Sequence, residues 1–154
     1  MASSKVKADV PLRARALRLL ARREYSRLEL ERKLAQYDEN PDEIPQLLDD
    51  FERRGWLSER RVVEQVLASR RRRFGAQRIA HELRGKGVSN DAIAGARQQL
   101  KDSELDAARE VWRRKFGVAP ADARAKARQM RFLQGRGFSS DVIRKLLSTR
   151  LDDD

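Results

Sequence analysis

Leu34, Leu83 and Leu133 are spaced by 49 and 50 residues, and three more sets of residues keep the same offsets. Ile44, Ile93 and Ile143 are one set. Asn40, Ser89 and Ser139 are another, all residue types that cap helix N-termini. Asp42, Asp91 and Asp141 complete the register, each placing an acid beside the positive end of a helix. An aromatic marker, Tyr25, Phe74 and Phe116, follows the same order, with extra residues in the middle link of the last copy. Four registers with different physical jobs point to an array of supersecondary units, each burying its own small core. The fold expected is all-α: nine helices in three tandem three-helix repeats. Repeat one spans 9–57, repeat two 58–102 and repeat three 103–150, between a loose N-terminus (1–8) and an acidic tail (151–154).

Helix signals fill in the units. Asp9 and Pro11 open a helix carrying Leu12, Ala16, Leu19 and Leu20. Ser26 and Glu29 form a capping box, with Tyr25 and Leu30 as its hydrophobic staple and Leu34 further along the buried side. Asn40 and Pro41 start a third helix bearing Ile44, Leu47, Leu48 and Phe51, and Gly55 ends it. Pro45 then falls at the fifth helical position, which implies a distorted first turn or a later start.

Ser58 caps a helix with Val62, Val63, Val66 and Leu67, which runs into Arg70, Arg71, Arg72 and Arg73. Four successive arginines sweep about 300° around a helix, so they cannot share one polar face. Either the helix projects beyond its core, or some stems lie along apolar surface with their heads in water. Past Gly75, Ile79, Ala80 and Leu83 lead to the turn Gly85-Lys86-Gly87; Ser89 caps a helix with Ile93, Ala96 and Leu100. Ser103 and Asp106 suggest a weaker capping box for a helix with Leu105, Ala108, Trp112 and Phe116. Ala123, Ala127, Met130 and Leu133 line the next helix, and Ser139 caps the last, with Ile143, Leu146 and Leu147.

With 38% charged and 6% aromatic residues among 154, the chain favours a thin or elongated body whose helices each keep a wet face. The net charge of +11 is uneven: residues 1–50 balance to zero, whereas residues 51–100, which hold most of the second repeat, carry +7. Such asymmetry points to a polyanion or an acidic protein surface as partner. No helix pairs a basic face with a strongly aromatic one, which argues against membrane binding. The chain has no cysteine, which excludes disulfides and thiolate–metal sites. Without a signal-like apolar stretch, the expected location is cytoplasmic and the expected state monomeric.

Chemistry-bearing residues are sparse. His81 is the only histidine and lacks companions for a zinc site; surface packing is the simpler reading. Asp38, Glu39, Asp42 and Glu43 lack the glycine and spacing of a calcium loop and suit a helix start. No phosphate loop and no nucleophile–base pair is evident, so no enzyme activity, cofactor or metal is expected. The binding candidates are Arg70, Arg71, Arg72, Arg73, Arg78, Arg84 and Lys86, with Arg113, Arg114 and Lys115 as a second group. The guanidinium fork can hold a phosphate or a carboxylate through two bonds. Phe74, Trp112 and Phe116 fall at helical spacing, as core residues rather than base-stacking platforms.

The ordered motifs RREYS, ELERKL, GWLSE, RRFGAQRIAHELRGKGV, RRKFG and RFLQGRGFSSDVIRKLL resemble the bacterial regulatory RecX family over roughly residues 12–149. One departure is Val62, where the family often has an aromatic. The resemblance implies tandem three-helix repeats in an extended, curved array. It also implies binding to the RecA recombinase filament on single-stranded DNA, in its groove, with inhibition of ATP hydrolysis, strand exchange and co-protease activity in the SOS response. The alternative is a stand-alone DNA-binding protein that acts on duplex or single-stranded DNA without RecA, since three-helix units with tight turns resemble helix-turn-helix geometry. A nuclease would need clustered carboxylates or histidines that the chain does not offer.

Overall fold

The computed structural model describes residues 10–37 and 42–152, with side chains to 148. The loose segment 1–8, Asp9, Asp38, Glu39, the Asn40–Pro41 cap and the side chains of the acidic tail lie outside the described residues. Among the described residues nine helices and no strands are present: α1 (Leu12–Arg22), α2 (Arg27–Ala35), α3 (Glu43–Arg53), α4 (Glu59–Arg70), α5 (Ala76–Gly85), α6 (Asn90–Leu100), α7 (Glu104–Lys115), α8 (Ala123–Gly135) and α9 (Ser140–Asp152). None is long and apolar enough to cross a membrane.

The chain divides into two compact units: residues 1–65 with 86–88, and residues 66–85 with 89–154. In the first, α1, α2 and α3 enclose Leu12, Ala16, Leu30, Leu34, Ile44, Leu48 and Phe51, with Leu19 and Leu20 half-buried at the margin. The capping box of α2 is complete: the Glu29 N–H donates to Ser26 Oγ at 3.1 Å, and the Ser26 N–H donates to Glu29 Oε1 at 3.1 Å. Tyr25 and Leu30, the two ends of the staple, are both buried. Gly55 takes the left-handed conformation, φ 74°, after the C-cap Arg54.

Pro45 is accommodated by a later helix start. Because α3 begins at Glu43, Pro45 occupies the third helical position, where its missing N–H would have had no partner within the helix. Asp42 stands at the cap position, but its side chain does not cap.

In the second unit, α7, α8 and α9 bury Ala108, Trp112, Leu133, Phe138, Ile143, Leu146 and Leu147, with Phe116 packed at the margin. Leu83, Ile93, Ala96 and Leu100 are buried in α5 and α6. The residues at repeat positions behave alike. Leu34, Leu83 and Leu133 are fully buried, and the three isoleucines are nearly so. Ser89 and Ser139 cap as expected, accepting from the N–H groups of Ala92 and Val142.

One open alternative is settled and two local expectations change. The four-arginine helix does not project: α4 stops at Arg70, whose carbonyl accepts from the N–H groups of both Arg73 and Phe74 and turns the chain. Ser103 does not cap α7, because its backbone is already helical (φ −112°, ψ −7°) rather than extended; its hydroxyl instead accepts from Arg71 at 2.9 Å. On α8, Ala123 is exposed while Gln129 is buried, which no apolar pattern could reveal. Gln129 Oε1 accepts from Trp112 Nε1 at 2.8 Å and its amide donates to the Val118 carbonyl at 3.1 Å, so burial leaves both ends satisfied.

A candidate polyanion-binding groove

The turn after α4 and the length of α7 form the walls of two adjoining cavities in the second unit. The larger, of about 700 Å³, is lined by Arg71, Arg72, Arg73, Asp106, Glu110 and Arg114, together with Ser103 and Ala107. The smaller, of about 260 Å³, shares Arg72, Arg73, Glu110 and Arg114, and adds Lys115, Arg136, Val111 and Phe132. The two share four lining residues and so form one groove, lined mainly by charged side chains with Ala107, Val111 and Phe132 among them. Arg72, Arg73, Arg114 and Lys115 are exposed.

The ten binding candidates thus separate. Arg71, Arg72, Arg73, Arg114 and Lys115 come together in the groove. Arg113 sits on the same helix, paired to Glu110 at 3.0 Å. Arg70 and Arg78 face another cavity, beside Phe74, His81 and Glu82; Arg70 pairs with Glu82 at 3.2 Å, and Arg78 bonds the Gly135 carbonyl at 3.3 Å. Arg84 is exposed in the last turn of α5. Lys86 belongs to the first unit, where it pairs with Glu29 at 3.2 Å and is largely covered.

Arg136 is the groove residue that sequence reasoning missed. Flanked by Gly135 and Gly137, it reads as part of a turn. Its guanidinium lies 5.2 Å from the centre of the Phe74 ring and 5.4 Å from that of Phe132. Lys115 approaches Phe132 at 5.4 Å, and Phe116 meets the same ring edge-on at 5.5 Å. Phe132 therefore holds the groove's cations in place, and cation–π attraction strengthens as such contacts lose water. Phe74, expected in the core, is instead half-buried at a cavity edge, with the Arg78 guanidinium 4.3 Å from its ring centre.

Neither His81, which is exposed, nor any group of carboxylates forms a metal cluster among the described residues. Within the first unit, Glu29 meets two cations and a backbone donor. Burial opposes its ionisation, but Arg23 at 2.9 Å, the Ser26 N–H and Lys86 outweigh that and hold its pKa below the ordinary carboxylate value.

Consecutive three-helix units define a tandem helical-repeat protein. Models of the first, second and third three-helix domains of RecX match residues 13–51, 58–96 and 102–147. The regulatory protein RecX of Leptothrix cholodnii is 52% identical over 139 residues, covering 90% of this chain and 88% of that one. That of Chromobacterium violaceum is 48% identical over 143 residues, 93% of each. The crystal structure of RecX from Lactobacillus salivarius shares the fold, with a TM-score of 0.76 at 18% identity over 97% of both chains. The chain belongs to the RecX family of regulatory proteins.

Proposed function

We propose that this chain is a non-enzymatic negative modulator of the RecA recombinase that binds the RecA–single-stranded DNA filament in its groove. Bound there, it inhibits ATP hydrolysis, strand exchange and co-protease activity. In this reading it works as a cytoplasmic monomer of three units, 9–57, 58–102 and 103–150, and several weak contacts along the fibre add up through avidity. The observation that carries the reading, beside the family, is the gathering of Arg72, Arg73, Arg114, Lys115 and Arg136 around one groove.

RecA ATPase on single-stranded DNA, titrated with this protein, is the test. Inhibition at far less than one copy per RecA protomer marks capping of growing ends, whereas inhibition only near equal amounts marks coating. An ATPase rate unaffected at saturating protein overturns the proposal. Tight, sequence-selective duplex binding in that case points to the stand-alone DNA-binding role.

A further inference from the structure

Glu110 lies where the two cavities of the groove meet and lines both. Its Oε2 takes Arg113 at 3.0 Å and its Oε1 takes Arg114 at 3.5 Å, and its side chain keeps 47% of its exposure. Both arginines are more exposed still, at 59% and 79%. A polyanion entering the groove meets Arg72 and Arg73 ready to bind, but it finds Arg114 already facing a carboxylate, which also holds Arg113 on the next position of α7. We infer that Glu110 is a built-in competitor, reserving the groove's Arg114 and the adjacent Arg113 and so setting both the affinity and the salt dependence with which the groove holds a single-stranded nucleic acid backbone. This rests on the groove being the docking surface proposed above.

The occupant follows from donors and acceptors. The groove's cationic side chains are pure donors, and its acceptors are already engaged: Glu110 by Arg113 and Arg114, Asp106 by Arg109 at 3.0 Å, and Ser103 by Arg71. A peptide strand would bring one N–H per residue into a lining made mostly of donors, where each acidic acceptor already stands against an arginine. A phosphodiester backbone brings acceptors alone. Phe132, the one aromatic ring in the lining, already has Lys115, Arg136 and Phe116 against it, which leaves bases little to stack on. The groove therefore reads charge along the strand and not its bases. Glu110 repels each incoming phosphate, and exposed pairs of this kind are weak enough for a sufficiently dense polyanion to break. A lone strand is held loosely as a result.

Full-length Glu110→Gln protein and oligo-dT of fixed length test this, with affinity measured across a salt series. Freeing two cations makes the slope of log K against log salt steeper by up to about 1.4, and raises affinity roughly 3- to 10-fold at moderate salt. Asp141→Asn removes an equal charge from another exposed pair, with Arg144 on α9, and controls for net charge. A gain no larger than that control's overturns the inference, as does a gain that persists when Arg113 and Arg114 are both alanine. Charge reversal at Arg72 and Arg73 separates the two levels: if it leaves oligo-dT binding unchanged, the groove itself is the wrong surface. If it weakens binding while Glu110→Gln has no effect, only the role of Glu110 fails. A gain seen with DNA-free RecA but not with oligo-dT assigns the groove to an acidic protein partner and overturns the nucleic-acid assignment.

Discussion

Gly75 and Gly137 meet backbone to backbone. The Gly75 N–H donates to the carbonyl of Arg136 at 2.8 Å, and the Gln77 N–H donates to the carbonyl of Gly137 at 3.1 Å. A Cβ on Gly75 would overlap the Gly137 carbonyl, and Gly137 itself holds φ at 88°. Glu104 fastens the same place, accepting through Oε1 from the N–H groups of Ala76 at 3.3 Å and Ser139 at 3.2 Å. The start of α5 is thereby locked to the glycine turn ahead of α9, which brings Arg136 beside Phe74. In the first unit Gly87 stands where Gly137 does in the last repeat, and a Cβ there would press on the side chain of Leu28, the counterpart of Arg78.

Gly75→Ala should therefore destabilise the protein by about 1–3 kcal/mol, because the obstacle is backbone and cannot rotate away. Gly137→Ala should cost at least as much, since it adds an unfavourable φ to a close approach to Arg78. Gly95, inside α6, has open space where a Cβ would stand, with no neighbour within 4 Å, so Gly95→Ala should stabilise by about 0.5–1 kcal/mol. Urea denaturation of the three variants checks the order, and a neutral Gly75→Ala would refute the tight joint.

A buried polar pair gives the next expectation. Trp112 is 2% exposed and Gln129 6%, and the indole N–H donates to the Gln129 amide oxygen. Gln129→Leu keeps similar bulk but removes that acceptor and the donor to the Val118 carbonyl, so it should cost about 1–3 kcal/mol. Combined with Trp112→Phe, the second change should cost less than it does alone. Thermal unfolding of the four proteins in the cycle measures this coupling.

What could be read from the sequence was whatever depends on near neighbours along the chain. The Ser26–Glu29 box, the Ser89 and Ser139 caps, Gly55 and the three buried leucines all follow from spacing, because a helix repeats its environment every few residues. Arg72 and Arg73 stand out as part of a charge run, yet Arg136, which lines the same cavity, lies more than sixty residues away and carries no local mark. Gln129 was hidden for the same reason: its polarity argues for a surface position, and only Trp112 and Val118 justify burying it. Lys86 illustrates the converse. Its place in a basic segment suggested a ligand contact, while the fold gives it to Glu29.

Glu29 links the first unit's stability to pH. With a folded-state pKa below its unfolded value, it contributes stability that is fully present above the unfolded pKa of about 4.3. That contribution is lost as pH falls from there through the folded value. Glu29→Gln should therefore be less stable than the parent at neutral pH, and the gap should narrow steadily below about pH 4. Chemical denaturation at a series of pH values would show it, and a gap that stays constant into acid would contradict the proposed role of the carboxylate.

The division of the basic residues predicts two distinct phenotypes. Arg72 and Arg73 are exposed on the groove wall and hold no part of the core, so Arg72→Glu with Arg73→Glu should leave helix content and midpoint of unfolding nearly unchanged. Their reversal turns two attractive contacts repulsive, which should weaken binding to RecA–DNA filaments by at least tenfold at low salt, and less at high salt. Including Arg71 would confuse the result, since its bond to Ser103 joins the turn to the start of α7. Lys86→Ala should behave in the opposite way. It removes a partly covered cation from Glu29 and should lower stability measurably, while filament binding changes little once the variant is folded. Filament binding and unfolding midpoints measured side by side decide the matter: equal loss of binding in both variants would mean that the basic segments act as one diffuse field, without a defined groove.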